Sequence, residues 1–243
     1  MEQVAFVIPT YNEASSIGLV IDRIPVSDLQ AEGLESCIYV VDGRSVDDTT
    51  DIATKKGAQI IIEKRKGKGV ALQTAFKSIS ADYVIVSDGD DTYPLDVAPE
   101  MVSLLQTFDV VIGSRLQGSI EPGAMTQLNV VGNTLLTILG QLLFKARVSD
   151  MCTGLWGYRG DAMRRLELSA QGFEIEADMF AECTMKGLSM TELPINYYKR
   201  ADQAKLSAIK DGLKIGLFLC KKRLQWIRGN AGRTQVEKTG VDK

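Results

Sequence analysis

Short unbroken apolar runs, separated by stripes at helical spacing, organise the first half of the chain. "VAFVI" (Val4–Ile8), "CIYVV" (Cys37–Val41), "QIII" (Gln59–Ile62), "YVIVS" (Tyr83–Ser87) and "VVIG" (Val110–Gly113) are brief and rich in β-branched residues. Runs of this kind, bounded by polar turns, are what strands look like when both faces of a parallel sheet are covered. Between them Ile17, Val20, Ile21 and Ile24 form one helical stripe, Ala71, Ala75, Phe76 and Ile79 another, and Met101, Leu104 and Leu105 a third. The alternation predicts an α/β fold with a doubly wound, mostly parallel sheet. Beyond Gly118 the pattern turns to amphipathic helices with isolated short strands such as "MTELPINYY". The closing stretch "NAGRTQVEKTGVDK" has no apolar period and reads as a frayed tail. No repeat or Pro/Gly linker divides the chain. The expected organisation is one domain over 1–205, followed by a basic amphipathic helix and tail over 206–243.

At 243 residues, with ordinary apolar and charged fractions, the chain can bury a full core. Its net charge of −3 gives no global argument for nucleic acid as a partner. The balance is uneven, however. Lys205, Lys210, Lys214, Lys221, Lys222, Arg223, Arg228 and Arg233 face a single acid, Asp211, a local net of +7. Cys37, Cys152, Cys183 and Cys220 share no metal or redox spacing and read as free, mostly buried thiols in a reducing cytosol. There is no histidine, which excludes Ser-His-Asp and Cys-His catalysis and imidazole zinc sites. The start of the chain lacks a basic segment leading into a long apolar one, so no secretory signal is expected. Val130–Ala146, interrupted by Gly, Asn, Thr and Gln, reads as too short and too polar to span a bilayer.

The strands run into "PTYNE", "DGRSVDD", "KRKGKG" and "DGDDTYP" at their carboxyl ends. In open α/β sheets that edge carries the ligand crevice, so four polar clusters are expected to converge there. Asp88 and Asp90 sit two apart in an extended segment and face the same way. They read either as a polar turn or as the ligands of a hard divalent ion that leaves positions open for phosphate oxygens. Asp42 suits a base or ribose edge, or an Asx-turn; Asp47 and Asp48 suit helix capping. Lys64, Arg65, Lys66 and Lys68 lie on a Gly-containing loop that can bind phosphate or stay solvated, and no P-loop pattern accompanies them. Arg115, and Arg200 with Lys205, stand at further strand ends where a guanidinium can fork onto phosphate or pair with a surface acid. The C-terminal segment, with Leu213, Leu217, Phe218, Leu224, Trp226 and Ile227 beside its basic excess, fits a membrane-interface helix or a core helix with a solvated face.

Taken in order, "VIPTYNEASSIG", "VVDGRSVDDTTDIA", "KGKGVALQTAF", "VSDGDDTYP", "VIGSRL", "SDMCTGLWGYR" and "ELPINYYKR" resemble family 2 glycosyltransferases of the GT-A (Rossmann-like) fold. The likeness runs from about Val4 to Lys205 and is strongest to synthases of dolichyl- and polyprenyl-phosphate sugars; "EPGAMTQLNVVGN" is similar to archaeal members. The resemblance implies that Pro9, Tyr11, Glu13, Asp42, Lys68 and Asp88 bind the donor nucleotide sugar. It makes Asp88 and Asp90 the pair for Mg²⁺ or Mn²⁺. Arg115, Arg200 and Lys205 would stand near the phosphates of donor or acceptor, and Asp90 is grouped with them as catalytic. Two departures stand out: Thr92 replaces a frequent Gln two places after the second Asp, and R-x-G-x-S-K-L reads "RADQAKL".

On this reading the missing histidine has a reason. A phosphate monoester has a second pKa near 6 and is nucleophilic at neutral pH without a general base. The implied reaction moves a hexose or N-acetylhexosamine from a nucleotide-diphosphate sugar, UDP-linked in preference to GDP-mannose, onto dolichyl or polyprenyl phosphate for glycan assembly such as protein N-glycosylation. The enzyme would be peripheral on the cytoplasmic face of an anionic membrane, with Lys221, Lys222 and Arg223 toward the lipid. A sugar nucleotidyltransferase would instead carry a Gly-rich basic loop straight after the first strand, where "PTYNE" stands. A non-catalytic module would bind nucleotide sugar without turnover.

Overall fold

The computed structural model describes residues 1–200 and 207–239. Seven strands form one sheet: β1 (Glu2–Thr10), β2 (Leu34–Asp42), β3 (Gln59–Ile62), β4 (Tyr83–Val86), β5 (Val110–Ile120), β6 (Trp156–Arg159) and β7 (Met190–Tyr197). Their spatial order is β3-β2-β1-β4-β6-β5-β7. β1 pairs in parallel with both β2 and β4, β2 with β3, and β5 with β7, whereas β6 runs antiparallel between β4 and β5. The five apolar runs are all strands. β6, "WGYR", escapes a reading by apolar runs because its Trp156 and Tyr158 alternate with Gly157 and Arg159, leaving no unbroken apolar run. β5 continues past its apolar start through an irregularity between Ser114 and Ser119, and this brings Arg115 onto the strand.

Period-two alternation sends β1 side chains to two separate cores. Ala5 and Val7 join Val84 and Val86 on one face, while Val4, Phe6 and Ile8 join Tyr83 and Ile85 on the other. The second face is covered by α1 (Ile17–Asp22), α2 (Val26–Ala31), α3 (Thr49–Lys55) and α5 (Ala98–Leu105), whose Ile17, Leu29, Ala53 and Met101 are buried there. The first face is covered by α4 (Lys68–Ser78), the short α7 (Gly160–Met163) and α8 (Ile175–Met185). Against α8 pack α6 (Gln127–Phe144) and α9 (Ala208–Thr239), contributing Phe144, Ile215 and Leu219. A doubly wound, mostly parallel sheet with a helical C-terminal part results, as expected.

Two expectations need correction here. α6 begins earlier than the segment read from the sequence, with Thr126 as its N-cap accepting from the Asn129 N–H at 3.2 Å. Over Gln127–Phe144 it is long and apolar enough to cross a bilayer by length and composition, with a mean hydropathy of 1.2. Lys222, grouped with lipid-facing charges, is instead buried: its ammonium lies 2.7 Å from both Asp178 and Glu182 of α8. Of the four free thiols, Cys183 is buried, Cys37 and Cys152 are half-buried, and Cys220 is exposed.

Candidate active site

The strand order reverses direction at β1, which has β2 on one side and β4 on the other. Such a switch point opens a crevice at the carboxyl ends of those strands. Asp42 ends β2, Pro9 and Thr10 end β1 with Tyr11 and Glu13 just beyond, and Asp88 and Asp90 follow β4. The predicted donor-binding residues therefore share one edge.

The three clustered aspartates part company. Asp88 pairs with Lys68, Asp90 accepts from Arg200 Nη1 at 2.9 Å, and Asp91, at φ 61°, turns outward to Arg23 Nε at 2.7 Å. Each carboxylate in this short stretch thus has its own cation, which is how like charges so close together are tolerated. Asp90 is also held by Thr92, whose buried hydroxyl donates to Oδ1 at 2.6 Å. Thr92 orients the aspartate. Burial, with Asp88 beside it, raises the Asp90 pKa above the usual carboxylate range against the opposing pull of Thr92 and Arg200.

Lys68 does not ride on a solvated loop. Gly67, at φ 130°, turns the chain into α4, and Lys68 opens that helix half-buried between Asp88 and Glu176, the latter 2.5 Å away. Burial opposes its charge, but the two carboxylates more than offset this and raise its pKa. Burial likewise raises the Glu176 pKa against the pull of Lys68. Glu176 is absent from the residues expected from the sequence. Its one signal is the run "FEIEADMF", where three acids, Glu174, Glu176 and Asp178, alternate with apolar residues at a helix start.

Arg200 lies between Asp90 and Glu13, donating to Glu13 from Nη2 at 3.0 and 3.2 Å. Its Nε is buried without a hydrogen-bond partner among the described residues. Lys205, with most of "RADQAKL", lies outside the described residues.

Asp42 is buried and forms an Asx-type turn, accepting from Ser45 N at 2.8 Å and Ser45 Oγ at 2.5 Å. The turn positions Asn12, whose N–H donates to Ser45 Oγ at 2.8 Å while its own Oδ1 accepts from Val46 N at 2.9 Å. Tyr11 is 45% exposed and its ring covers Gly43. Pro9 is buried within β1, so any contact it makes with a ligand is through backbone at the strand end.

Arg115 departs most from its expected place beside a phosphate. Its guanidinium forks onto the fully buried Asp150 at 2.7 and 2.8 Å, donates to Tyr93 Oη at 3.2 Å, and lies over the Tyr197 ring. Tyr93 Oη also accepts from Gly154 N at 2.6 Å. Gly154 in turn presses on Asp88: a side-chain carbon there would come within 2.5 Å of the carboxylate. Arg115 therefore braces the 150–154 loop that backs Asp88, with both carboxylate-facing edges of its fork engaged.

Two strand-end carboxylates are the complement Mg²⁺ or Mn²⁺ accepts when a diphosphate supplies the remaining oxygens. No third His, Cys, Asp or Glu joins them in a ready metal cluster among the described residues. The donor set fits an ion that arrives with its substrate better than a closed protein cage.

A family model described as glycosyl transferase family 2 matches residues 5–166. Glycosyltransferase AglJ of Haloferax volcanii is 35% identical over 225 residues, 91% of this chain and 72% of that protein. The dolichyl-phosphate hexose transferase of the same organism is 35% identical over 228 residues, 92% of this chain and 95% of that protein. Among solved structures, glucosyl-3-phosphoglycerate synthase from Mycobacterium tuberculosis, in complex with Mn²⁺, UDP and glucosyl-3-phosphoglycerate, aligns with a TM-score of 0.68 at 25% identity, covering 93% of this chain and 80% of that one.

Proposed function

The chain belongs to glycosyl transferase family 2 and is a glycosyltransferase, and from that premise we propose that it transfers a hexose or N-acetylhexosamine from a nucleotide-diphosphate sugar to dolichyl or another polyprenyl phosphate. The observation that carries this reading is the meeting of Asp88, Asp90, Lys68 and Arg200 at the β1/β4 switch point in a protein without histidine. A UDP-linked donor is favoured, and glycan assembly such as protein N-glycosylation is the use that fits. The likeness to a dolichyl-phosphate hexose transferase over nearly the whole of both chains supports the choice of acceptor.

Each group at the rim has a part. Asp88 and Asp90 would hold the divalent ion, and the bound ion supplies neutralising charge to the departing nucleoside diphosphate. Lys68 keeps Asp88 in place, and Thr92 does the same for Asp90. Arg200 brings a guanidinium to the crevice, a group suited to a phosphate oxygen, and its buried Nε–H has no hydrogen-bond partner among the described residues. The acceptor phosphate needs no base at neutral pH. Its oxygen attacks the anomeric carbon, the bond from that carbon to the diphosphate oxygen breaks, and the nucleoside diphosphate leaves. Pro9, Tyr11, Glu13 and Asp42 line the side of the crevice where the nucleoside would lie. Arg115 acts as a positioning residue, through Tyr93 and the 150–154 loop. Because an isoprenoid tail stays in its bilayer, the protein would work as a peripheral protein at an anionic membrane surface, on the cytoplasmic face.

The test is turnover. Purified protein is given UDP-glucose, UDP-N-acetylglucosamine or GDP-mannose with dolichyl phosphate, detergent and Mg²⁺ or Mn²⁺. One donor should yield a lipid-phosphate sugar, and EDTA should stop it. Binding of a nucleotide sugar without transfer to any polyprenyl phosphate would overturn the reading.

A further inference from the structure

Of sixteen large apolar side chains exposed among the described residues, ten lie on two helices. On α6 they are Leu128, Val131, Leu135, Ile138 and Leu142; on α9 they are Ile209, Leu213, Leu217, Leu224 and Ile227, each between 45% and 74% exposed. The α6 set recurs at three- and four-residue spacing and the α9 set at three, four and, from Leu217 to Leu224, seven, so each is a single stripe. The stripes adjoin. Gly216 of α9 faces Leu139 and Leu136 of α6, at 3.7 and 3.8 Å from where its side-chain carbon would be. On each helix the exposed stripe lies next to this seam, and the two merge into one apolar face. A contiguous face this large marks an interaction surface.

Charge selects the occupant. α6 carries no charged residue from Gln127 to Phe144. On α9, Lys210, Lys214, Lys221 and Arg228 are exposed, and at 3.6 residues per turn they fall along one edge of its stripe. The helix's acid near its start, Asp211, is half-buried and accepts from Ser207 N. An apolar strip edged by lysine and arginine matches the boundary between acyl chains and anionic headgroups.

We propose that the α6/α9 face docks on an anionic bilayer, with both helices lying in the interface and neither crossing it. This deepens the proposed function, since it rests on a lipid acceptor. Although α6 could span a bilayer by composition, one side of it is locked to the protein. Thr137, Gly140 and Phe144 are buried, and a side-chain carbon at Gly140 would meet Met151 Sδ at 2.7 Å. A spanning orientation would strip that side from its core. Lying flat, α6 keeps those contacts and gives the lipid only its exposed stripe.

The test uses the full chain and vesicles containing neither polyprenyl phosphate nor nucleotide, so its outcome is independent of the transferase reading. Vesicles of phosphatidylcholine with phosphatidylglycerol should bind the protein at low salt, more weakly as salt screens the charges. Leu135→Asp with Leu217→Asp, both on the surface, should lower partitioning at least tenfold without changing the melting temperature. A polarity-sensitive dye on Cys220, the exposed thiol on the α9 stripe, should shift to the blue only when vesicles are added. Wild-type protein that ignores these vesicles overturns the proposal. So does a dye shift that appears without lipid, rises with protein concentration and disappears in the double-Asp variant, since that assigns the face to a second copy. Transfer to a short, water-soluble isoprenyl phosphate, measured separately, tests the chemistry without a bilayer.

Discussion

Lys222→Met separates a structural charge from its superficially similar neighbours. The ammonium is the shared cation of Asp178 and Glu182, with Asp178 wholly buried and Glu182 nearly so. Asp178 also fixes the loop that precedes α8, accepting from Ser169 N at 2.5 Å and Ala170 N at 2.7 Å. That loop is packed onto the start of α4: side-chain carbons at Gly67 and Gly69 would fall 2.1 and 2.2 Å from the Gln171 and Ala170 carbonyls. Removing one partner of a buried ion pair costs about 3–5 kcal/mol, because the remaining charge stays buried without compensation. For a chain of this size each kcal/mol shifts Tm by about 2–4 °C, so a fall of roughly 6–20 °C is expected. Lys222→Arg, which keeps the charge, should recover part of it. Lys221→Glu changes an exposed neighbour and should stay within about 0.5 kcal/mol of wild type. Thermal melts of the three variants decide the matter. If Lys222→Met melts with the wild type, the cation is not compensating those carboxylates, and α9 is not tied through α8 to the 169–171 loop and the start of α4.

Asp90→Asn is expected to abolish metal-dependent transfer with little loss in melting temperature, since Arg200 keeps Glu13 as its carboxylate partner and Thr92 can donate to the amide oxygen; undiminished transfer rates would remove its metal role. Arg200→Ala should raise the KM for polyprenyl phosphate more than that for nucleotide sugar, by on the order of 10- to 150-fold for a lost charge-assisted hydrogen bond; an effect confined to the donor would move Arg200 to the diphosphate. Glu63, held at a pKa of about 2 by Arg65 and Thr74 against an ordinary 4.5, stabilises the fold fully above pH 4.5 and loses that contribution as pH falls toward 2. Glu63→Gln should therefore flatten the Tm–pH curve across that window, and an unchanged acid limb would count against the pairing.

The sheet was readable in advance because inner strands covered on both faces are apolar over four or five consecutive residues, a local property; the edge strand β3, where Ile62 is exposed, shares the apolar run without the burial. The polar clusters at their carboxyl ends were readable for a related reason: a parallel sheet brings all such ends to one edge, so strand order in the sequence is enough to gather Asp42, Asp88 and Glu13 into one crevice. β6 carries no such mark, since Gly157 and Arg159 interrupt its two aromatic residues. What each charge does there depended on partners far away in the chain. Lys68 and Arg115 both looked like phosphate ligands from their neighbours, yet Lys68 meets Glu176 across 108 positions and Arg115 meets Asp150 across 35. The basic run around Lys222 was equally uniform in the sequence, and only the packing of α9 on α8 buried one lysine and left Lys221 outside. Composition and period determine which residues leave water, because transfer of apolar surface is local and additive. Which buried charge meets which is set by long-range packing, because an ion pair exists only where the folded chain brings two remote residues within a few ångströms.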